Sequence, residues 1–232
     1  FMNNQLVSII MSVHKVNPFL DDAINSILKQ THEKFEFLIV QDGIEDEDLS
    51  LRLKFYEARD SRIILLQNKE NLGLTKSLNI LVKESNSNYI FRQDADDISR
   101  TERIRKQLEF LTNNSLDACF AQAVNSQTGK ILHRKSLYIP TNLLLKIKNP
   151  FVHGTMLIKK NVLESVGFYD ERFTFSQDYK LYIDLVKSKK KLKQINEILY
   201  ELNTIENIST NFKNQQKYFA NCARKNLIPI NK

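Results

Sequence analysis

Within its first 92 residues the chain alternates four apolar runs with three segments of helical periodicity, and few architectures accommodate that pattern. Residues 6–13 (LVSIIMSV), 34–40 (KFEFLIV), 62–66 and 88–92 are short apolar runs of the kind that form strands covered on both faces. Between them, residues 18–30 carry Phe19, Ala23, Ile24, Ile27 and Leu28 at helical spacing, with Pro18 suited to a first turn. Residues 47–59 follow the acidic cluster 45–48, which suits the positive end of a helix, and residues 75–84 predict a third helix. Strand–helix–strand repeats of this length pair in parallel through right-handed crossovers, so the expected class is α/β, with a Rossmann-like, mostly parallel central sheet flanked by helices. In such sheets ligands bind beyond the carboxyl ends of the strands. Those ends carry Ser12-Val13-His14, Gln41-Asp42-Gly43 and Gln93-Asp94-Ala95-Asp96-Asp97, and two of the three bring carboxylates to one edge.

The second half is less regular. Helices are expected over residues 100–113, 141–147, 161–166, 177–187 and 217–225, and strands over 117–125, 130–133 and 154–159. With no repeat, low-complexity tract or evident linker, 232 residues read as a single domain. Residues 6–97 form a ligand-binding half, 98–185 a mixed second half and 186–232 a C-terminal extension, the candidate for acceptor or homodimer contacts. That length buries a core without disulfide or metal staples, and Cys119 and Cys222 stand too far apart to suggest a metal pair. Two lone cysteines, no run of about 18 uncharged apolar residues and no basic-then-apolar leader predict a cytoplasmic protein. The charge balance, 34 basic against 27 acidic residues, fits an anionic partner.

Asp94-Ala95-Asp96-Asp97 puts three carboxylates in four positions between an apolar run and a helix. One reading is an acidic cap for the helix that follows. The other is a site for a hard cation, since Mg²⁺ uses one or two carboxylates and takes its remaining oxygens from substrate phosphates. The strand-end position favours the second.

RQDADDISRTERIRKQLEFL (residues 92–111) resembles the core of the family 2 glycosyltransferases, inverting enzymes of the GT-A fold. VSIIMSVHKVNPFLDDAINSILKQT (7–31), NLGLTKSLN (71–79) and HGTMLIKKNVLESVGFYDERFTFSQDYKLYIDL (153–185) are similar, in order, to the family's first strand and helix, its loop before the fourth strand and its acceptor-side segment. The resemblance implies a nucleotide sugar, usually UDP-linked, lying across the strand ends. It assigns Asp42 to the base, Asp94 to the ribose and sugar, and Asp96 to an Mn²⁺ or Mg²⁺ ion on the diphosphate. Ser12 and His14 fall beside the nucleotide, His14 standing where the family often has tyrosine or asparagine. Asn71 and Gly73 shape their loop, and Arg92 pairs with the acidic cluster or with a phosphate. Asp97 is expected to hold the loop against Arg100 or Arg103. His153 and Gly154 match the lining of the sugar and acceptor site. Asp178 matches the catalytic base, with Gln177 where the family commonly has Glu.

These groups make chemical sense together. Departure of the diphosphate builds negative charge that a cation stabilises, while the acceptor hydroxyl must lose a proton to a carboxylate on the opposite side of the anomeric carbon. The implied reaction moves a hexose or N-acetylhexosamine to a glycan or glycolipid in bacterial surface-polysaccharide biosynthesis, such as lipopolysaccharide or capsule. Lys187, Lys189, Lys190, Lys191 and Lys193 suit peripheral attachment to the cytoplasmic membrane face, at about 1 kcal/mol per lysine near anionic lipid. A nucleic-acid partner is disfavoured by the absence of zinc-finger, RRM or helix-turn-helix signatures. A sugar nucleotidyltransferase would carry a Gly-rich loop after the first strand, and SVHKVN (12–17) has no glycine. A non-catalytic domain that only binds a nucleotide sugar or glycan is the other alternative.

Overall fold

The computed structural model describes residues 4–44, 46–205 and 212–230. Glu45, part of the acidic cluster before the second helix, lies outside them. The first half follows the sequence pattern: β1 (Val7–Val13), α1 (Leu20–Leu28), β2 (Phe35–Asp42), α2 (Glu47–Glu57), β3 (Ile63–Asn68), α3 (Leu74–Glu84) and β4 (Tyr89–Arg92). β1 pairs in parallel with β2 and β4, and β2 with β3. Every residue of β2 is buried, including Glu36, whose carboxylate accepts from Ser8 Oγ and Asn86 Nδ2. α1 turns Leu20, Ala23, Ile24 and Ile27 onto the sheet. It begins two residues after Pro18, because Asn17 Oδ1 accepts from the Phe19 amide and forms a turn before the helix proper. α2 is capped by Asp46, whose Oδ1 accepts from the Leu49 amide.

The second half adds β5 (Ile98–Ser99), α4 (Arg103–Asn113), β6 (Ala118–Asn125), β7 (Ile131–Leu132), α5 (Thr141–Leu144), β8 (Leu157–Lys159), α6 (Lys160–Ser165), α7 (Gln177–Lys187), β9 (Leu192–Leu202) and α8 (Lys213–Lys225). The strand order is β3-β2-β1-β4-β8-β6-β9-β5, with β7 hanging on β6. β8 runs antiparallel to β4 and β6, and β9 parallel to β6. Two sequence expectations change here. The helix foreseen from residue 100 starts at Arg103, because the Arg100 amide still donates to the Leu199 carbonyl of β9 and continues the pairing of Ile98 and Ser99. Residues 186–232, read as an extension, contribute β9 to the interior of the sheet, between β6 and β5.

Apolar clusters cover both faces of the sheet. On one, Ile9, Phe37 and Phe91 meet Ile24, Leu53 and Leu108 from the helices; on the other, Ile10, Leu38 and Phe120 meet Leu78, Tyr182 and Phe219. Burial on this scale, at about 25 cal/mol per Å² of apolar surface, fixes the sheet and thereby the strand ends that carry the site. Phe151 stacks on Phe120 with centroids 3.8 Å apart, which anchors the loop running from α5 to the cleft.

Candidate active site

β4 leaves the parallel half of the sheet at Arg92, and the next five residues turn sharply before β5. That turn is held from beneath by Arg103 on α4. Its Nη2 donates to the carbonyls of Arg92 (2.8 Å) and Gly154 (2.7 Å), its Nη1 to Ser99 Oγ (2.7 Å) and Gln93 Oε1 (3.2 Å). Burial lowers this guanidinium to a pKa of about 10, so it still carries its charge at neutral pH. Tyr200, from β9, completes the scaffold: its hydroxyl accepts from the Asp94 amide at 3.1 Å and bonds to the Asp97 carboxyl. Asp97 Oδ1 accepts from the Asn203 amide at 2.7 Å. Asp97 therefore does hold the loop, but against Tyr200 and Asn203 of the β9 end and not against Arg100 or Arg103.

Above this scaffold opens a cleft of about 910 Å³ whose lining includes Asp94, Asp96, His153, Gly154, Gln177 and Asp178. Burial first, and then neighbouring Asp94, push the Asp96 carboxyl up to about 6. Two acidic groups this close and this poorly hydrated favour a proton or a cation between them. Asp178, which also lines the cleft, occupies the first turn of α7. Burial raises its pKa although the Tyr179 amide and Asn149 Nδ2 (2.6 Å) donate to the carboxylate. Such a group ionises reluctantly and binds a proton better than an ordinary aspartate. His153 Nε2 lies 2.8 Å from the Tyr169 hydroxyl, and burial together with Arg92 keeps the imidazole neutral. Gly154 is a close approach: a Cβ there would stand 2.2 Å from the Tyr200 hydroxyl and 2.7 Å from Asp94 Oδ2.

The remaining predicted residues lie elsewhere. Arg92 is buried beneath the cleft floor, paired through Nη2 with Asp94 Oδ1. Burial works against its charge, and Asp94, with Tyr200, Tyr169 and Asp97 around it, more than offsets this. Of its two sequence readings the structure realises the pairing with the acidic cluster. Asp42, His14 and Asn71 form a second cluster at the ends of β1 and β2. His14 Nδ1 contacts the Asp42 carbonyl (2.7 Å) and Nε2 contacts Asn71 Nδ2 (3.1 Å); His14 also borders a shallow hollow with Lys15, Asp46 and Glu47. The Asp42 carboxylate turns inward: it is 2% exposed and accepts from Asn68 Nδ2 and from the amides of Leu72 and Gly73, so it ties the 71–73 loop to β2. Ser12, half-buried near the end of β1, lines neither recess.

Sequence reasoning named Arg103 only as a partner for Asp97, and it missed Asn149, Tyr200 and Asn203. Arg103 stood within the acidic-turn segment; Asn149 and Tyr200 carried no local signal. Among the described residues no three His, Cys, Asp or Glu side chains converge as a ready-made metal cage. The oxygen donors at the turn still fit a hard cation that uses one or two carboxylates and leaves the remaining positions to phosphate.

A parallel sheet that reverses beyond β4, with carboxylates lining the cleft at the reversal, defines the GT-A class of glycosyltransferase. The profile of Glycosyl transferase family 2 matches residues 8–167, and the chain belongs to that family. It is 31% identical over 187 residues to the O-antigen biosynthesis glycosyltransferase WbnJ of Escherichia coli, covering 78% of this chain and 72% of that one. Its fold is similar to that of S. aureus TarS 1–349, solved in complex with UDP-GlcNAc (TM-score 0.72, 15% identity, 89% of this chain). The mannosyltransferase PcManGT from Pyrobaculum calidifontis, solved with GDP-Man and Mn²⁺, matches at TM-score 0.73 with 13% identity over 92% of this chain. This chain spans 60% and 61% of those two longer chains.

Proposed function

We propose that this glycosyltransferase moves a hexose or N-acetylhexosamine, with inversion, from a UDP-linked donor to a hydroxyl of a lipid-linked or surface glycan during surface-polysaccharide biosynthesis. The observation that carries this reading is the shared cleft, which Asp96 and Asp178 both line. The names of WbnJ and of the TarS complex support the acceptor and donor classes.

Asp96, with Asp94 beside it, would hold Mn²⁺ or Mg²⁺ together with diphosphate oxygens. When bound, the cation stabilises the charge that gathers on the leaving diphosphate. The rest of the work falls to the chain itself. Arg92 keeps Asp94 in place from below, and neutral His153 adds bulk and a hydrogen-bonding edge without competing charge. Asp178 takes the proton of the acceptor hydroxyl as its oxygen bonds to the anomeric carbon and the bond from that carbon to the diphosphate oxygen breaks. Its raised pKa makes it the stronger base for this step.

The test is Asp178→Asn. Transfer should fall about 10²–10⁴-fold while UDP binding, followed by calorimetry, persists. Unchanged transfer would remove Asp178 from the role of base, and an α-configured donor giving an α-configured product would exclude inversion.

A further inference from the structure

The chain's positive charge is unevenly distributed. Segments 134–148, 186–193 and 212–230 hold thirteen of its 34 basic residues and none of its 27 acidic ones, so the remainder of the chain is net acidic. The fold gathers these three segments. Arg224 Nη1 on α8 donates to the Ile147 carbonyl at 2.5 Å, and Lys187 Nζ at the end of α7 donates to Asn226 Oδ1 at 3.0 Å. Thr141 and Asn142 of α5 share a surface hollow with Lys190, Lys191 and Lys193. The acid at the margin of this face is Asp117, whose carboxylate accepts from the Lys191 amide. Large aliphatic side chains stand out of the same surface: Leu143 is 47% exposed, Ile147 70%, Leu227 54% and Ile228 62%. The face also borders the active-site cleft, whose rim includes Ile147, Lys148, Lys217 and Arg224.

We infer that this face docks on an anionic lipid bilayer, so that the cleft mouth meets an acceptor carried in the membrane. Charge complementarity alone would also suit a soluble polyanion. The protruding aliphatics favour the bilayer, because they gain from entering the headgroup–acyl boundary and gain nothing beside a hydrated polymer. The inference rests on the lipid-linked acceptor proposed above, and it extends the surface well beyond the lysine run to α5, α8 and the residues after it.

The experiment is sedimentation of the full chain with phosphatidylcholine vesicles, with and without phosphatidylglycerol, at low and high salt. Binding should require phosphatidylglycerol and weaken with salt. Lys190→Gln, Lys191→Gln and Lys193→Gln together should lower partitioning roughly 100-fold, and Leu143→Ser with Leu227→Ser about 10-fold or more. Thermal melts establish that both variants fold. Transfer to a soluble sugar acceptor is measured alongside and should be unchanged in both variants. Equal binding to the two vesicle types, or full binding by the leucine variant, overturns the inference, as does tight binding of single-stranded RNA without preference for anionic vesicles. Anionic-vesicle binding without any sugar transfer would sink the functional reading and leave the docking face standing.

Discussion

Asn149 offers the sharpest test of the base. Its side-chain amide has one orientation available: Oδ1 accepts from the Phe151 amide at 3.3 Å, which aims Nδ2 at Asp178 Oδ2, 2.6 Å away. Phe151 is itself locked in the core by its stack on Phe120, so the donor is positioned by packing. A hydrogen bond to a charged group is worth about 1.5–3 kcal/mol, and here it helps only the ionised form of Asp178. Asn149→Ala removes it. Burial then dominates further, the carboxylate ionises at higher pH, and the acid limb of the kcat/KM profile moves upward. Below that limb kcat/KM should fall about 10–100-fold, and on the alkaline plateau, where Asp178 is ionised in both proteins, it should fall far less. Asn149→Asp puts a like charge against Asp178 and should move the limb further still. The other titratable groups facing Asp178 are Asp94, Tyr169 and Tyr182, and the substitution leaves all three in place. A pH series of UDP release reads the result. A uniform drop at every pH, with the limb unmoved, would mean that Asn149 merely supports its loop and that Asp178 does not set the profile.

Asp178→Asn should melt at a higher temperature than the wild type at neutral pH, by differential scanning fluorimetry. The folded-state pKa lies above the unfolded one, so the charged form costs stability above the folded value; the gain should vanish as pH falls below the unfolded value, near 3.8. For Asp96, proton and cation compete: Mn²⁺ affinity in the presence of UDP, by calorimetry, should decline as pH falls through about 6 and be lost in Asp96→Asn. Gly154→Ala should cost about 1–3 kcal/mol in urea unfolding and most of the activity, since its Cβ would stand 2.2 Å from the Tyr200 hydroxyl. Tyr200→Phe should cost only about 1 kcal/mol yet weaken metal-dependent UDP binding, because it frees the Asp94–Asp97 turn at two points.

The parallel half was legible because β1 and β2 are buried on both faces, so the run LVSIIMSV and the fully buried β2 announce themselves without knowledge of their neighbours. β9 did not. Its residues LKQINEILYEL bury Leu192, Ile195, Leu199 and Tyr200, spacings of three, four and one that fit no strand period. The register with β6 explains this: it shifts twice, between Phe120 and Gln122 and between Gln122 and Ala123, and each irregularity changes which side chains face inward. Tyr200 thus reaches the acidic turn from a strand whose sequence resembles a charged surface segment. Asp42 shows a different ambiguity. Its position after β2 pointed to ligand, but a carboxylate at a strand end can equally be consumed by the amides of the next loop, and only the Leu72 and Gly73 contacts distinguish the two.

The cleft sits where it does because of how the two halves join. β1 to β4 require crossovers that cover both faces with helices, leaving their carboxyl ends as the open edge. β8 then enters antiparallel beside β4, so the segment leading into it, with His153 and Gly154, arrives at that same edge. Arg103 joins the two by donating to the carbonyls of both Arg92 and Gly154, one on each side of the seam. A fixed positive charge buried under a row of aspartates also offsets their mutual repulsion while no cation is bound, which lets three carboxyls share one turn. Replacing Arg103 with Met keeps much of its volume but removes four hydrogen bonds at the turn and at Gly154 together with that charge. The loss should exceed the roughly 3–5 kcal/mol typical of breaking a buried ion pair, read as the midpoint of urea unfolding. A variant that unfolds like the wild type would show that Tyr200, Asn203 and Arg92 hold the turn without it.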